Sequence, residues 1–337
     1  MTIADLEHFR NLLVERRQNI VDWLEGPDAA RAEEIHKAQE LLDEIRSALA
    51  RVENHSYGTC VVCKDEVELH RLEVQPLAQV CLGCISEEER DRLEDDLFLA
   101  NRIYRALLPQ TATEIDGFDV AVRLAEARYV GGDYFDFLPP SAGAPAHRIV
   151  VADIMGKGIA AGLMMSNVQG ALRLLAERHS SPAALVGNLN QWFCRNIPVT
   201  KFVSLVCLAV ECNGQGPARL VYANAGHCSP ILVRRSGSLE TLQQTGAVIG
   251  VREDFCYTEA ETTLDSGDLL VLYTDGIVEA ASPEGDMFNE DRLMGFLQPR
   301  RSHELTTLLA DLITNVKAFA VKAQLEDDYL ALALRKK

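Results

Sequence analysis

Apolar positions near the start of the chain recur at helical spacing. Ile3, Leu6, Phe9, Leu13, Ile20 and Leu24 predict a helix over 2–25. Gly26-Pro27-Asp28 breaks the pattern, with Asp28 a candidate N-cap, and a second helix follows to about Val52 through Ala38, Leu41, Ile45 and Leu49. Two such helices with a short connection predict an antiparallel hairpin. Further on, Ser86-Glu87-Glu88-Glu89 has the form of a capping box. The helix it opens carries Leu93, Leu97, Ala100, Tyr104 and Leu107 and should stop near Leu108, before Pro109. That stripe fits a helix packed on its own domain, and it fits equally a short two-stranded coiled coil joining two copies of the chain.

From Phe118 the texture changes. Short β-like runs occur at 118–124, 147–153, 201–211, 219–223, 230–235, 255–261, 268–274 and 329–335. Helical patterns sit at 159–177, 182–194 and 303–323, the second opened by Ser181-Pro182. Short turns between consecutive strands imply mostly antiparallel sheets, and helices set apart from them imply an α+β architecture. Several apolar runs end on a carboxylate. Ile149-Val150-Val151-Ala152 leads into Asp153, Val130-Gly131-Gly132 into Asp133, and Leu269-Leu270-Val271-Leu272-Tyr273-Thr274 into Asp275, while Glu326-Asp327-Asp328 enters the last strand. One such aspartate is explained as a helix N-cap. Four imply a single acidic cluster assembled by the fold, because an isolated buried charge is costly and hard divalent cations take oxygen ligands.

The totals narrow the classes. At 337 residues the chain has room for about two domains. A net charge of −17 argues against a nucleic-acid partner. There is no run of eighteen apolar residues and no signal-peptide core in Met1–Arg10, so no membrane span and a cytoplasmic location are expected. Nine cysteines, four of them clustered, suggest metal binding rather than disulfides. Cys60-x2-Cys63 and Cys81-x2-Cys84 lie seventeen residues apart, which matches a four-thiolate structural zinc site. Oxidation of the same thiolates on loss of zinc is a second reading, a redox switch.

The hairpin and knuckles together resemble the DksA/TraR zinc-finger family over roughly residues 1–88. The resemblance is carried by Leu41-Leu42-Asp43-Glu44-Ile45-Arg46-Ser47-Ala48-Leu49-Ala50-Arg51-Val52, Tyr57-Gly58-Thr59-Cys60, Arg71-Leu72 and Pro76. Members of that family bind RNA polymerase through acidic residues at the hairpin tip. Here the tip reads Asp28-Ala29-Ala30-Arg31-Ala32 on a short hairpin, with arginine where a second acid would be expected, so polymerase binding is doubtful. The 57–85 stretch is not basic, which argues against a DNA-reading finger.

Four further motifs, in order, resemble the SpoIIE/RsbU branch of the metal-dependent PPM serine/threonine phosphatases over about 90–335. They are Gly131-Gly132-Asp133-Tyr134-Phe135-Asp136, Ala152-Asp153-Ile154-Met155-Gly156-Lys157-Gly158, Thr274-Asp275-Gly276-Ile277 and Asp327-Asp328-Tyr329-Leu330, with Asn224-Ala225-Gly226-His227 between the second and third. Cys228 and Tyr329-Leu330 depart from the usual strings without removing a carboxylate. The resemblance implies a four-layer α-β-β-α sandwich holding two Mn²⁺ or Mg²⁺ ions. Asp153 would bridge them and the Ile154 carbonyl would add a ligand. Asp275 and Asp327 would complete one site and Asp133 the other, with Asp153 and Asp275 as the catalytic pair. Two close cations lower the pKa of a water between them, which then attacks phosphorus.

Lys157 is a candidate phosphate contact or a solvated turn lysine. Asp136 and Asp328 are spare acids that either support the ligands from behind or are solvated, Asp328 being read as solvated, and His227 is read as a turn residue with satisfied hydrogen bonds rather than a general acid. The implied substrate is phosphoserine or phosphothreonine on a STAS-domain anti-anti-sigma protein. The expected domains are a helical hairpin over 1–56, a zinc finger over 57–85, a linker helix over 86–110 that dimerises or transmits a signal, and a phosphatase domain over 111–337. The zinc module would act as sensor or docking part.

Three other readings compete. His227-Cys228-Ser229-Pro230-Ile231-Leu232-Val233-Arg234 fits the H-C-x5-R signature of cysteine phosphatases, but Pro230 lacks an N–H and the next three residues read as a strand, so no phosphate cradle is expected. Gly131-Gly132-Asp133-Tyr134-Phe135 resembles the diguanylate cyclase signature with Tyr134 in place of its metal-binding acid. A non-catalytic scaffold that binds polymerase is disfavoured because all four candidate ligands are acidic. Gly156-Lys157-Gly158 lacks the remaining parts of a P-loop.

Overall fold

The computed structural model describes residues 3–25, 32–109, 115–127, 129–140, 146–156, 158–197, 201–211, 216–322 and 325–337. It divides into two units, Met1–Asp95 and Asp96–Lys337.

In the first unit α1 (Ile3–Glu25) and α2 (Ala32–Glu53) form the expected hairpin. Phe9 and Leu13 of α1 share a core with Ile45 and Ala48 of α2, joined by Tyr57, Leu72 of α3 (Leu69–Val74) and two of the cysteines. The hairpin tip lies outside the described residues. The Tyr57 hydroxyl donates to the Pro76 carbonyl at 2.7 Å, tying the start of the first knuckle to the run before the second. Helix α4 (Glu87–Leu107) begins as predicted, with the Glu89 N–H donating to Ser86 Oγ at 3.1 Å. The reciprocal half of the box is not made, because the Glu89 carboxylate accepts from buried Arg71 at 2.7 Å instead.

The second unit is built on two five-stranded antiparallel sheets. One runs β1 (Phe118–Ala125), β10 (Tyr329–Lys336), β9 (Leu269–Tyr273), β6 (Ile231–Val233), β7 (Leu239–Thr241). The other runs β2 (Asp133–Leu138), β3 (His147–Ile154), β4 (Val203–Glu211), β5 (Ala218–Ala225), β8 (Ala260–Leu264). Strand alternation separates the layers. Leu330, Leu332 and Leu334 of β10 enter the core between the sheets, while Ala331 and Ala333 face a second core beneath α8 (Asn289–Arg300) and α9 (Leu305–Ala320). On the far side α5 (Ile159–Ala176) packs on β2 and β3, and α6 (Pro182–Asn196) on β4 and β5. Ser181 caps α6, accepting from the Ala184 N–H at 3.2 Å, with Pro182 in the first turn.

The four-layer α+β sandwich is therefore present. In α4, Tyr104 is buried and Ala100 and Leu107 pack with it against the inter-sheet core, so this part of the predicted stripe serves its own unit. Phe98, Leu99 and Ile103 of the same helix are exposed. Helix α5 is apolar and long enough, by length and composition, to cross a membrane. Here Met165, Val168 and Leu172 sit in the hydrophobic core shared with β2 and β3, as in a core helix.

Candidate active site and zinc centre

Asp133 opens β2 and Asp153 lies next to the end of β3. The two are direct partners across the antiparallel pair, so their side chains emerge on one face. Ser204 of β4 continues the same row. The third acid comes from the other sheet: β9 ends at Tyr273, Thr274 follows, and Asp275 opens α7 (Asp275–Val278). Asp327 and Asp328 immediately precede β10. Two clips join the sheets at this edge. The Thr274 hydroxyl donates to Asp133 Oδ2 at 2.7 Å and accepts from the Leu330 N–H at 2.9 Å. The Asp328 carboxylate accepts from the Gly132 and Ala127 N–H groups, both at 2.7 Å. The Tyr104 hydroxyl adds a bond to the Asp133 carbonyl at 3.1 Å.

Two glycines allow the approach. A Cβ on Gly132 would stand 2.6 Å from the Ile154 carbonyl oxygen and 3.5 Å from Asp153 Oδ1. A Cβ on Gly276 would stand 1.9 Å from the Asp328 carbonyl and 3.5 Å from Asp327 Cβ. Asp133, Asp153, the Ile154 carbonyl, Asp275 and Asp327 are thus brought to one edge by four separate chain segments.

The electrostatics follow from that crowding. Burial, then the Asp153 charge, push the Asp133 carboxyl well above the usual carboxylate range. Burial, then Asp275, Asp327, Asp328 and Glu279, push Asp153 up to about 7. Such a set is held in its ionised form by a positive countercharge, and an all-oxygen donor set of this kind fits Mg²⁺ or Mn²⁺. Among the described residues no three carboxylates close to within 4.8 Å as the cysteine thiols do.

Three sequence readings need correction. Asp328 is not solvated: it is 6% exposed and holds the Gly132 loop. Asp136 is 1% exposed and faces away from the cluster, taking two bonds from Arg173 of α5 at 2.9 and 3.1 Å and one from the Tyr134 hydroxyl at 2.7 Å. His227 is buried with Nδ1 paired to Ser204 Oγ at 2.8 Å, but its Nε2 has no hydrogen-bond partner. Lys157 lies outside the described residues. Thr274, the cross-sheet clip, was missed; its position directly before Asp275 in the motif was the one available signal.

In the first unit the Sγ atoms of Cys60, Cys63, Cys81 and Cys84 all lie within 4.8 Å of one another, with Cys63 and Cys81 3.5 Å apart. The Cys60 N–H donates to the Asp65 carbonyl at 2.8 Å, and Lys64 adopts φ 67°, closing the first knuckle. Burial opposes ionisation of Cys60, yet hydrogen bonds from the backbone of Cys63, Cys81 and Val62 outweigh it and bring the thiol down to about 6. Against a hydrogen bond from the Asp65 backbone, burial and the Cys81, Cys60 and Cys84 thiols push Cys63 up to about 12, so it is the closeness of the four sulfurs that fits a metal site. Cys228 is not part of this group. Burial, and then Asp275, push its thiol up to about 12, and Ile231–Val233 is strand β6, so no phosphate cradle surrounds it.

Two antiparallel sheets between helical layers, with acids at one edge, is the architecture of PP2C-type phosphatase domains. The fold matches the SiaA-PP2C domain of Pseudomonas aeruginosa with a TM-score of 0.64 at 22% identity, covering 74% of this chain and 99% of that one. It also matches the RsbU and RsbW domains of Rv1364c from Mycobacterium tuberculosis, with a TM-score of 0.53 at 23% identity over 66% of this chain and 60% of that one.

The family model Stage II sporulation protein E (SpoIIE) matches residues 145–337, more than half of the chain, and the chain belongs to that family. The prokaryotic dksA/traR C4-type zinc finger matches residues 55–90, which include all four clustered cysteines. Among relatives, phosphoserine phosphatase RsbU of Bacillus subtilis (strain 168) is 24% identical over 252 residues, 74% of this chain and 72% of that protein. The RNA polymerase-binding transcription factor DksA of Escherichia coli (strain K12) is 29% identical over 107 residues, 25% of this chain and 71% of that protein.

Proposed function

We propose that the chain is a metal-dependent phosphatase that removes phosphate from serine or threonine on a regulatory protein, with a phosphorylated STAS-domain anti-anti-sigma factor as substrate. The observation that carries this reading is the meeting of Asp133, Asp153, Asp275 and Asp327 at one edge from four chain segments. A pair of Mn²⁺ or Mg²⁺ ions held there would supply an activated water and offset charge on the phosphoryl oxygens. Asp153 and Asp275 are the catalytic carboxylates in this reading. Asp133, Asp327 and the Ile154 carbonyl complete the ligand set. Thr274 and Asp328 hold those ligands in place without touching the substrate. The similarity to RsbU supports the choice of substrate class.

The zinc module, with Cys60, Cys63, Cys81 and Cys84 on one structural Zn²⁺, is the sensor or docking part. Its divisions are 1–56, 57–85 and the linker 86–110, with the phosphatase domain over 111–337. Exposed Phe98, Leu99 and Ile103 support homodimer formation through the linker helix. The location is cytoplasmic.

The test is turnover of a serine-phosphorylated STAS-domain protein by the full chain with manganese, before and after chelation. Asp153→Asn removes the shared ligand and should lower the rate on the order of a thousandfold, about 4 kcal/mol of transition-state stabilisation. Undiminished manganese-dependent turnover in that variant would refute the site.

A further inference from the structure

By the turn that follows Asp153 stands a cation that forms no ion pair among the described residues. Lys201 lies just before β4, and its Nζ is 4.0 Å from where a Cβ on Gly156 would stand. Gly156 belongs to the turn that follows Asp153 and Ile154. Its carbonyl oxygen would lie 3.3 Å from a Cβ on Gly132, the same point that is 3.5 Å from Asp153 Oδ1. The ammonium therefore stands at the turn that links Asp153 to α5, on the side of the chain where Gly132 approaches.

The backbone that follows it is fixed. The Met155 N–H donates to the Phe202 carbonyl at 3.1 Å, and Val203 and Ile249 exchange bonds at 3.0 and 2.8 Å. The Lys201 carbonyl lies 2.8 Å from the point a Gly250 Cβ would occupy. The side chain is half-buried, yet among the described residues it makes no ion pair and no side-chain hydrogen bond. Arg173, Arg219 and Arg234 of the same unit are all paired with acids. An ammonium close to the turn after Asp153 and bonded to no acid among the described residues is available to a ligand.

We propose that Lys201 binds the phosphoryl group of the substrate and orients it toward the acidic edge. The proposal rests on the phosphatase reading above and assigns the phosphate contact to a residue other than Lys157. With two divalent cations balancing the four carboxylates, a fixed positive charge on one side sets the direction from which a phosphate dianion approaches. A lysine ammonium offers three rotatable donors on a flexible stem, which suits oxygens whose position shifts during binding and release.

The experiment compares wild type, Lys201→Met and Lys201→Arg as full chains at saturating manganese. It measures p-nitrophenyl phosphate kinetics, calorimetric binding of inorganic phosphate, manganese affinity and melting temperature. In Lys201→Met, KM for p-nitrophenyl phosphate and the dissociation constant for inorganic phosphate should each rise by about tenfold or more, the size of one charge-assisted hydrogen bond. Manganese affinity and melting temperature should match wild type, and Lys201→Arg should recover most of the loss. Unchanged phosphate binding in Lys201→Met overturns the proposal, and so does a loss of manganese affinity, which would make Lys201 part of the cluster's scaffold. A wild type that binds manganese but turns over no phosphate ester defeats the phosphatase reading instead, and the phosphate titration then still decides the role of Lys201.

Discussion

Thr274→Val tests whether one hydroxyl holds the two halves of the site together. Thr274 is fully buried, and valine nearly reproduces its shape, so packing is preserved while two hydrogen bonds are lost. The first runs to Asp133 Oδ2 at 2.7 Å and the second comes from the Leu330 N–H at 2.9 Å. A hydrogen bond to a charged group contributes about 1.5–3 kcal/mol, and a buried N–H left without a partner costs about 1–3 kcal/mol. A loss of about 3 kcal/mol is expected, which in a unit of this size lowers the melting temperature by about 6–12 °C. Asp133 also loses its anchor. If about 1.4 kcal/mol of that restraint is no longer available to the metal-bound state, manganese binding weakens by about tenfold. Calorimetric melting with and without manganese, and a manganese titration, read both effects. Thr274→Ser keeps the hydroxyl and should keep the affinity. A Thr274→Val protein that melts and binds manganese like wild type would show that the clip carries no load.

Gly276→Ala places a methyl 1.9 Å from the Asp328 carbonyl, so the Asp327–Asp328 segment must move. Manganese affinity should fall by at least about tenfold, whereas an unchanged titration would mean that Asp327 is not a ligand. Cys81→Ser should reduce zinc content from one per chain to near zero and unfold the first unit, because structural zinc contributes about 10–16 kcal/mol, as much as a domain's whole stability. A folded, zinc-free variant would contradict this.

Burial lowers the His227 imidazole to about 4, against the opposing Tyr273 backbone contact, while the unfolded chain titrates near 6.5. The neutral buried ring therefore contributes stability that is complete above about pH 6.5 and is lost as pH falls toward 4, roughly 3 kcal/mol in all. Urea denaturation of wild type and His227→Gln at pH 7.5 and 4.5 should show wild type losing more than the variant. Equal losses would refute the assignment.

The sequence by itself determined the parts whose signals are local. Helix α6 is announced by Ser181-Pro182, the zinc centre by its cysteine spacing, and the ligand candidates by apolar runs that stop at Asp133, Asp153 and Asp275. Elements without a local signal were not legible. All six residues of β2 are buried, so it shows no alternation. The three-residue β7 is too short to register, and α8 contains Pro299. The run expected at 255–261 is displaced to β8, with Phe255 and Tyr257 meeting edge to face at 5.0 Å outside the ladder.

What only the tertiary structure decided is the role of each polar side chain. Thr274 meets Asp133 from 141 residues away, and Asp328 meets Gly132 from 196. Asp136 and Asp328 look alike as spare acids in a motif, yet one faces an arginine on α5 and the other holds a loop at the site. A hydrophobic pattern depends on a residue's neighbours along the chain, whereas the environment of a buried charge is set by whatever distant backbone arrives beside it.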